Sequence, residues 1–167
     1  MLLSEYGVTV EQLGVDHADA LLAFELENRR YFAAAIADRG DEFFATFADG
    51  LRARLAEQAT GECRFHVLVE ADGAIVGRVN LVDLEDGSAE LGYRIAERAA
   101  GRGLATAAVR AVTQLAVKEY GLRRLTAGTA QANVASRTVL ERAGFKLVAE
   151  TPGVRPQAAY ELSLEGL

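Results

Sequence analysis

The chain has 167 residues, a net charge of −6 and a single cysteine, and 50% of its residues are apolar. A chain of this size and composition is typical of one globular domain, so we expect residues 1–167 to form a single domain. The lone Cys63 excludes an intrachain disulfide and a cysteine-rich zinc site, and the acidic charge disfavours non-specific nucleic-acid binding.

The N-terminus carries no basic stretch before an apolar block, and no apolar run approaches the roughly 20 residues that span a bilayer. We therefore expect a cytoplasmic protein that contacts neither membrane nor nucleic acid. The two histidines, His17 and His66, lie far apart with no third ligand in a metal-binding spacing, so we expect no metal.

The first third of the chain predicts one strand and two helices. Val8–Leu13 alternates apolar and polar residues, as a half-buried strand does. Asp16 is a favourable N-cap for a helix whose apolar spacing extends to about Ala37. Asp41 caps a second predicted helix, in which the interior Gly50 makes the middle the weakest part.

The middle of the chain changes to a period of two, which predicts strands. Three segments, Phe65–Val69, Ala74–Val82 and Ala89–Ile95, are separated by turns that each contain an Asp-Gly pair, a strong signal for a tight turn. These segments predict an antiparallel meander.

The last third predicts a helix over Arg102–Tyr120, a strand over Arg124–Thr129, a helix over Asn133–Ala143, and final strands at Phe145–Val148 and Ala158–Leu162. The complete order is βααβββαβαββ. This order predicts the α/β (α+β) class, with helices packed around one mixed sheet.

A glycine-rich turn joins the strand that ends at Ile95 to the helix that follows. Gly101 and Gly103 allow the backbone to bend and approach a ligand closely. The unbonded first N–H groups and the dipole of the helix favour an anion, and Arg98 and Arg102 add positive charge. The turn alone leaves two interpretations open, a phosphate or pyrophosphate site and an ordinary strand–helix turn.

Two known phosphate motifs do not fit this turn. A P-loop requires Gly-Lys-Ser or Gly-Lys-Thr, whereas the chain has Gly103-Leu-Ala. A dinucleotide fingerprint requires a third glycine where Thr106 stands, and an acidic residue about 20 positions later, where the chain has arginines. The preceding meander also leaves few residues for a parallel sheet.

Two linked blocks carry a family resemblance. Arg98–Ala105, with the pattern Arg-x-x-Gly-x-Gly-x-Ala, resembles the acetyl-CoA signature of the GNAT acetyltransferases, and Asn133–Phe145 resembles the second block of that family. A helix and a strand join the blocks, in the order of the family. The resemblance implies a GNAT-type fold, a mixed and mostly antiparallel central sheet flanked by helices on both faces.

Shorter segments narrow the resemblance. Ala89–Ile95 is similar to the branch that acetylates the N-termini of ribosomal proteins, and Glu27–Phe32 and Asp41–Phe44 with Arg52–Leu55 are similar to a member that acts on an N-terminal alanine. The resemblance implies an enzyme that moves an acetyl group from acetyl-CoA to a primary amine, above all the N-terminal α-amino group of a ribosomal protein, by direct attack through a tetrahedral intermediate. Two alternatives stay open. One is an acetyltransferase for polyamines, amino acids or antibiotics, and the other is a catalytically weak acyl-CoA-binding module.

The resemblance also implies which residues hold acetyl-CoA as the co-substrate. The pantetheine arm pairs with the strand at Tyr93, Arg94 and Ile95 as an added strand would, and main-chain N–H groups of that strand stabilise the oxyanion. Asn133 hydrogen-bonds the pantetheine, although asparagine is also an ordinary helix N-cap. The pyrophosphate binds in the glycine-rich turn, at Arg98, Ala99, Ala100, Gly101, Arg102, Gly103, Leu104, Ala105 and Thr106.

The catalytic residues follow from the same resemblance. Ser136 is implied to contact the cofactor and to protonate the leaving thiolate. Many GNAT enzymes carry a tyrosine where this chain has Leu140, so Ser136 or a water must supply that proton. A free α-amino group has a pKa near 8, so an N-terminal acceptor needs only a weak base. Glu90 is the first candidate for this base and Glu27 the second.

The expected partners are acetyl-CoA and either a protein N-terminus or a small amine, and we expect a monomer or a homodimer. The net charge predicts a split surface. A basic pocket is expected around Arg98 and Arg102, and the acidic surface elsewhere would suit a cationic acceptor.

Overall fold

The computed structural model describes all residues, 1–167, and places eight strands in one sheet in the order β1-β2-β3-β4-β5-β6-β8-β7. This mixed sheet with its helices confirms the predicted α+β class. The strands are β1 (Leu2–Leu3), β2 (Val8–Gln12), β3 (Arg64–Glu70), β4 (Ile75–Glu85), β5 (Ser88–Ile95), β6 (Arg124–Ala130), β7 (Lys146–Thr151) and β8 (Gln157–Ser163).

Six α-helices and three short 3₁₀ turns accompany the sheet. None of the helices has the length and apolar character that crossing a membrane requires. The helices are α1 (Ala18–Glu27), α2 (Arg29–Ala33), α3 (Asp41–Ala45), α4 (Phe47–Thr60), α5 (Leu104–Lys118) and α6 (Val134–Arg142), and the turns are Ser4–Tyr6, Val15–His17 and Glu97–Ala99.

The first predicted helix is correct in place but wrong in extent. It breaks at Asn28, because the buried Asn28 side chain donates to the Phe24 carbonyl at 2.9 Å and so competes with the backbone of the helix. Asp16 does not cap it. Asp16 lies inside a 3₁₀ turn, and α1 begins at Ala18 with no side-chain cap.

The second predicted helix also divides, although not at its glycine. Helix α4 runs through Gly50, and the break falls at Thr46, whose hydroxyl donates to the Glu42 carbonyl at 2.8 Å. A side chain bonded to the preceding turn again ends the helix. Gly61 adopts a left-handed conformation with φ of 85° and ends α4 as predicted.

The junction between β5 and β6 divides the sheet. Strands β1 to β5 are antiparallel neighbours, and so are β6, β8 and β7, whereas β5 and β6 are parallel because α5 crosses over between them. Only Ser88–Glu90 pairs with Arg124–Thr126. Beyond these three residue pairs the strands diverge, which opens a slot between β5 and β6 towards their carboxyl ends.

Helices cover both faces of the sheet beside this slot. Helix α5 buries a stripe of small apolar residues, with Ala108, Val109 and Val112 at 0% exposure. Arg94 on the opposite face of β5 reaches the Glu25 carboxylate of α1. Side chains alternate along a strand, so β5 presents one face to α5 and the other to α1 and α2.

Candidate active site

The glycine-rich turn presents a row of free backbone donors. Gly101 and Gly103 have φ of 77° and 87°, in the left-handed region, and α5 begins directly afterwards at Leu104. The backbone N–H groups from Gly101 to Thr106 make no hydrogen bond to the protein. Consecutive free N–H groups at the start of a helix form a site for an anion such as a pyrophosphate.

Gly103 is constrained from two sides. Its positive φ disfavours any residue with a Cβ atom, and such an atom would lie 2.9 Å from the Tyr6 hydroxyl oxygen. Tyr6 belongs to the N-terminal 3₁₀ turn, so the start of the chain packs against the start of α5. The sequence pattern indicated the importance of Gly103 but not its contact with Tyr6.

The two arginines of the turn differ in their surroundings. Arg98 forms an ion pair of 2.7 Å with Glu70, which raises the pKa of Arg98 and balances its charge. Arg102 is exposed and forms no ion pair, so it carries the unbalanced positive charge of the turn. Glu27 is near enough to Arg98 for its charge to raise the pKa of Arg98 as well.

The edge of β5 presents peptide groups to the slot. The Ala96 N–H donates across to the Val76 carbonyl of the neighbouring segment at 2.8 Å. Peptide groups alternate sides along an antiparallel strand, so those of Tyr93 and Ile95 point the other way, into the slot. An extended ligand lying there would meet an unpaired strand edge.

Asn133 and Ser136 lie together at the start of α6. The Asn133 Oδ1 atom accepts a hydrogen bond of 3.1 Å from the Ser136 backbone N–H, so Asn133 is the N-cap of α6. Its Nδ2 group has no partner in the protein. The Ser136 hydroxyl takes no part in the cap and remains available for chemistry.

The Ser136 hydroxyl faces a tyrosine across the slot. Burial raises the pKa of Tyr93 above its usual value, and the nearby Ser136 side chain partly opposes this shift. Two hydroxyl groups, one from β5 and one from α6, therefore lie within reach of each other. Sequence reasoning used only the backbone of Tyr93 and missed its side chain.

The other tyrosines are occupied elsewhere. The Tyr120 hydroxyl lies 2.6 Å from the His66 Nε2 atom, and the fully buried Tyr160 accepts a hydrogen bond of 2.9 Å from Arg137. Leu140 is 2% exposed and belongs to the core. Of these three tyrosines, Tyr93 is the one that lies near Ser136.

Glu90 stands where the two strands begin to diverge. It is exposed, and it belongs to the last residue pair between β5 and β6, opposite Thr126. Gly92, two positions later on the same face, has nothing within 4 Å of the place where a Cβ atom would lie. The carboxylate of Glu90 therefore borders open space beside the slot.

Asn28 links the two ends of the site. Besides its bond to α1, its Oδ1 atom accepts a hydrogen bond of 3.0 Å from the Glu97 N–H, in the turn before α5. The break between α1 and α2 thus positions the glycine-rich turn. No local pattern in the sequence indicates this role.

A cluster of charged residues lies on the α1 and α2 face of β5. Three arginines, Arg39, Arg78 and Arg94, surround the buried carboxylate of Glu25. They come from a loop, β4 and β5, so sequence reasoning had no spacing from which to find them. No group of three or more His, Cys, Asp or Glu side chains is placed to hold a metal ion.

Comparison with known proteins assigns this architecture to a family. Residues 8–146 match the model of the family described as Acetyltransferase (GNAT) domain. A Bacillus subtilis (strain 168) protein named Probable N-acetyltransferase YjcK is 31% identical over 146 residues, which cover 83% of this chain and 80% of that protein.

Solved structures share the fold over nearly the whole chain. A ribosomal-protein-S5-alanine acetyltransferase from Vibrio fischeri has a TM-score of 0.89 and 18% identity, and the match covers 96% of this chain and 94% of that one. Mycobacterium smegmatis RimJ in complex with CoA-disulfide has a TM-score of 0.84 and 22% identity, and the match covers 96% of this chain and 83% of that one. At these identities the likeness shows the fold.

Proposed function

We propose an acceptor for this chain, which belongs to the GNAT acetyltransferase family and is an N-acetyltransferase. The acceptor is the N-terminal α-amino group of a protein, and ribosomal proteins are the substrate class. The resemblance of Ala89–Ile95 to the branch that acetylates the N-termini of ribosomal proteins carries the proposal, and the fold shared over 96% of the chain with a ribosomal-protein-S5-alanine acetyltransferase agrees with it. The open space beside Glu90 and Gly92 supports it, because a peptide N-terminus needs an unobstructed approach to the slot.

The residues of the site fit acetyl-CoA as the co-substrate. The free N–H groups from Gly101 to Thr106 suit its pyrophosphate, and the unpaired edge of β5 suits its peptide-like arm. The Asn133 amide has free donors beside the slot. When bound, acetyl-CoA supplies the acetyl thioester. The chain itself binds the co-substrate, orients the acceptor and exchanges protons with both.

The amine must lose a proton before it can attack. A free α-amino group has a pKa near 8, so bringing it to the neutral form at pH 7 costs only about 1 kcal/mol. Glu90, exposed at the mouth of the slot, takes this proton directly or through water. A lysine side chain, with a pKa near 10.4, would need a stronger base.

The leaving thiolate must gain a proton. Ser136 supplies it from the first turn of α6, where its hydroxyl is free of the N-cap. Tyr93, whose pKa is raised by burial, keeps its proton at neutral pH and orients the Ser136 hydroxyl, which recovers its proton from solvent. The pair of hydroxyl groups takes the place of the tyrosine that Leu140 replaces.

The test is acetylation of synthetic peptides. The purified protein is incubated with acetyl-CoA and peptides that carry the N-terminal sequences of ribosomal proteins, and free thiol is followed. Mass spectrometry assigns the acetyl group to the α-amine or to a lysine. Matched peptides with a blocked N-terminus must release no thiol, and we expect acetylation of the α-amine alone.

Two results would replace the proposal with its alternatives. Acetylation of polyamines, amino acids or antibiotics, with no peptide product, would make the acceptor a small molecule. Tight CoA binding in calorimetry with no turnover of any amine would indicate an acyl-CoA-binding module, which the apolar Leu140 in the tyrosine position would then explain.

A further inference from the structure

The Glu25 carboxylate on α1 is shared by too many arginines. Its side chain is 1% exposed, and its oxygens lie 2.9 Å from Arg39 Nε, 3.0 Å from Arg78 Nη1 and 3.6 Å from Arg94 Nη1. One buried carboxylate is satisfied by one or two guanidinium groups. Three leave this part of the protein with an excess of two positive charges.

Other charges near the cluster reduce this excess to about one positive charge but do not remove it. Asp38 acts on Arg94, and Asp38 and Asp41 share Arg29 at 2.8 and 2.7 Å, so this group contributes one surplus negative charge. Arg54 also acts on Arg78, but it pairs with Glu57 at 3.6 Å and so adds no net charge. Burial first, and the neighbouring arginines second, lower the pKa of Arg94 to about 10, so it remains charged at neutral pH.

Arg94 is held in place but not satisfied. Its guanidinium lies 5.0 Å from the centre of the Phe32 ring, a stacking position that fixes its plane. Its nearest carboxylate atom is beyond hydrogen-bonding distance, and 17% of its side chain remains accessible. Next to it, the Nε atom of Arg78 is buried without any partner. Charged donors that are fixed and unused are prepared for an anion.

The cluster lies beside the reaction site. Glu90, Gly92 and Arg94 share one face of β5, because side chains alternate along a strand. Gly92 leaves the space between Glu90 and Arg94 open. An acceptor in this space has its reacting amine near the Glu90 carboxylate and the groups that follow the amine near the Arg94 guanidinium.

We propose that Arg94, with Arg39 and Arg78 behind it, binds a carboxylate of the acceptor close to the reacting amine. This inference rests on the proposed function, and in a protein substrate the carboxylate is an acidic side chain within the first few residues. A free amino acid offers the same chemistry through its α-carboxylate. The cluster has the opposite sign to the acidic surface that the net charge predicted for the acceptor, so it disfavours polyamines.

The experiment compares matched acceptors. Peptides that begin Ala-Asp, Ala-Asn and Ala-Lys, otherwise identical, are assayed for kcat/KM, and alanine is compared with alaninamide. Binding of the same peptides, labelled at their C-termini, is measured by fluorescence anisotropy in the presence of CoA, which needs no turnover. We expect the aspartate peptide to exceed the asparagine peptide by about tenfold or more in both measurements.

Variants assign the preference to the cluster. Arg94→Gln is expected to abolish it, and Arg94→Lys, which keeps the charge but loses the planar fork, to retain part of it. Arg123→Gln, at an exposed position before β6 where the side chain bonds only the Asp86 carbonyl, is the control and should retain all of it. The Kd for CoA should change by less than about twofold in Arg94→Gln, because the phosphate donors lie in the glycine-rich turn.

The outcomes separate the two proposals. Equal rates and equal binding for all three peptides, with alanine no better than alaninamide, overturn the anion site whether or not peptides are acetylated. A preference for alanine alone keeps the anion site and overturns the protein acceptor. A large loss of CoA affinity in Arg94→Gln, with peptide selectivity unchanged, would assign the cluster to the cofactor and overturn the inference.

Discussion

The Oδ1 atom of buried Asn28 accepts a hydrogen bond of 3.0 Å from the backbone N–H of Glu97, 69 positions later in the chain. The same amide donates to the Phe24 carbonyl of α1. One side chain therefore ends a helix on the acceptor side and fixes the turn that presents the phosphate donors. We therefore expect stability and cofactor binding to be coupled at this residue.

Replacing Asn28 by alanine is expected to weaken both properties. The Glu97 N–H loses its partner, and the Phe24 carbonyl keeps only the backbone N–H of residue 28, so the free energy of unfolding should fall by about 1–3 kcal/mol. The Kd for CoA should rise, because the Glu97 turn is no longer held. Urea unfolding and calorimetry measure the two effects, with Gln114→Ala, at an exposed site on α5, as the control. An unchanged Kd would show that the turn is rigid without Asn28.

Replacing Gly103 by alanine should impair the phosphate site. The new Cβ atom meets the Tyr6 hydroxyl at 2.9 Å in a backbone conformation that costs roughly 1 kcal/mol, so the free N–H groups must shift. We expect the affinity for CoA to fall about tenfold, as calorimetry measures it. Gly50→Ala, within α4, should instead leave CoA affinity unchanged and raise stability by about 1 kcal/mol. Equal CoA affinity in all three proteins would contradict the assignment of the turn.

Ser136→Ala should lower kcat by at least about tenfold while the Kd for CoA stays nearly constant. The N-cap of α6 survives this substitution, because it uses the backbone N–H of Ser136 and not its hydroxyl. Thr138→Ala removes another hydroxyl from the same helix and serves as the control. If turnover is unaffected in Ser136→Ala but falls in Tyr93→Phe, the proton comes from the tyrosine.

His66 should make the protein less stable in mild acid. Burial lowers the pKa of His66 to about 4, whereas in the unfolded chain it is near 6.5. Between these values the unfolded state binds more protons, so the free energy of unfolding falls as the pH decreases from about 6.5 to 4 and is unaffected above that range. The loss amounts to about 3 kcal/mol at full protonation.

Urea unfolding over this pH range measures the effect. His66→Gln should show a smaller dependence on pH, because the buried titrating group is gone. The difference between the two profiles isolates His66 from the carboxylates, which titrate in both proteins. Profiles of equal slope would mean that His66 is protonated without cost in the folded protein.

Local patterns predicted the parts of this fold that local chemistry determines. The alternation in β3, β4 and β5 and the glycine-rich turn before α5 were visible because each depends on neighbours in sequence. Strand β1 has only two residues, too few for any alternation. The pattern also missed the break at Thr46, since the apolar spacing continues through it.

The charged cluster could not be predicted from spacing. Glu25, Arg39, Arg78 and Arg94 belong to four separate segments, and Arg78 and Arg94 meet only because β4 and β5 pair in that register. Composition predicted an acidic surface for the acceptor, because a net charge of −6 does not reveal a local excess of positive charge. Sequence thus indicated the glycine-rich turn but not the charged cluster.

The three residue pairs that join β5 to β6 have a thermodynamic consequence. Only these pairs join the two parts of the sheet, and a ligand arm lying in the slot would bridge their unpaired edges. Binding at the slot then adds to the free energy of unfolding, and this contribution grows with the logarithm of the ligand concentration. The melting temperature of the protein should therefore report how much of it is loaded with acetyl-CoA.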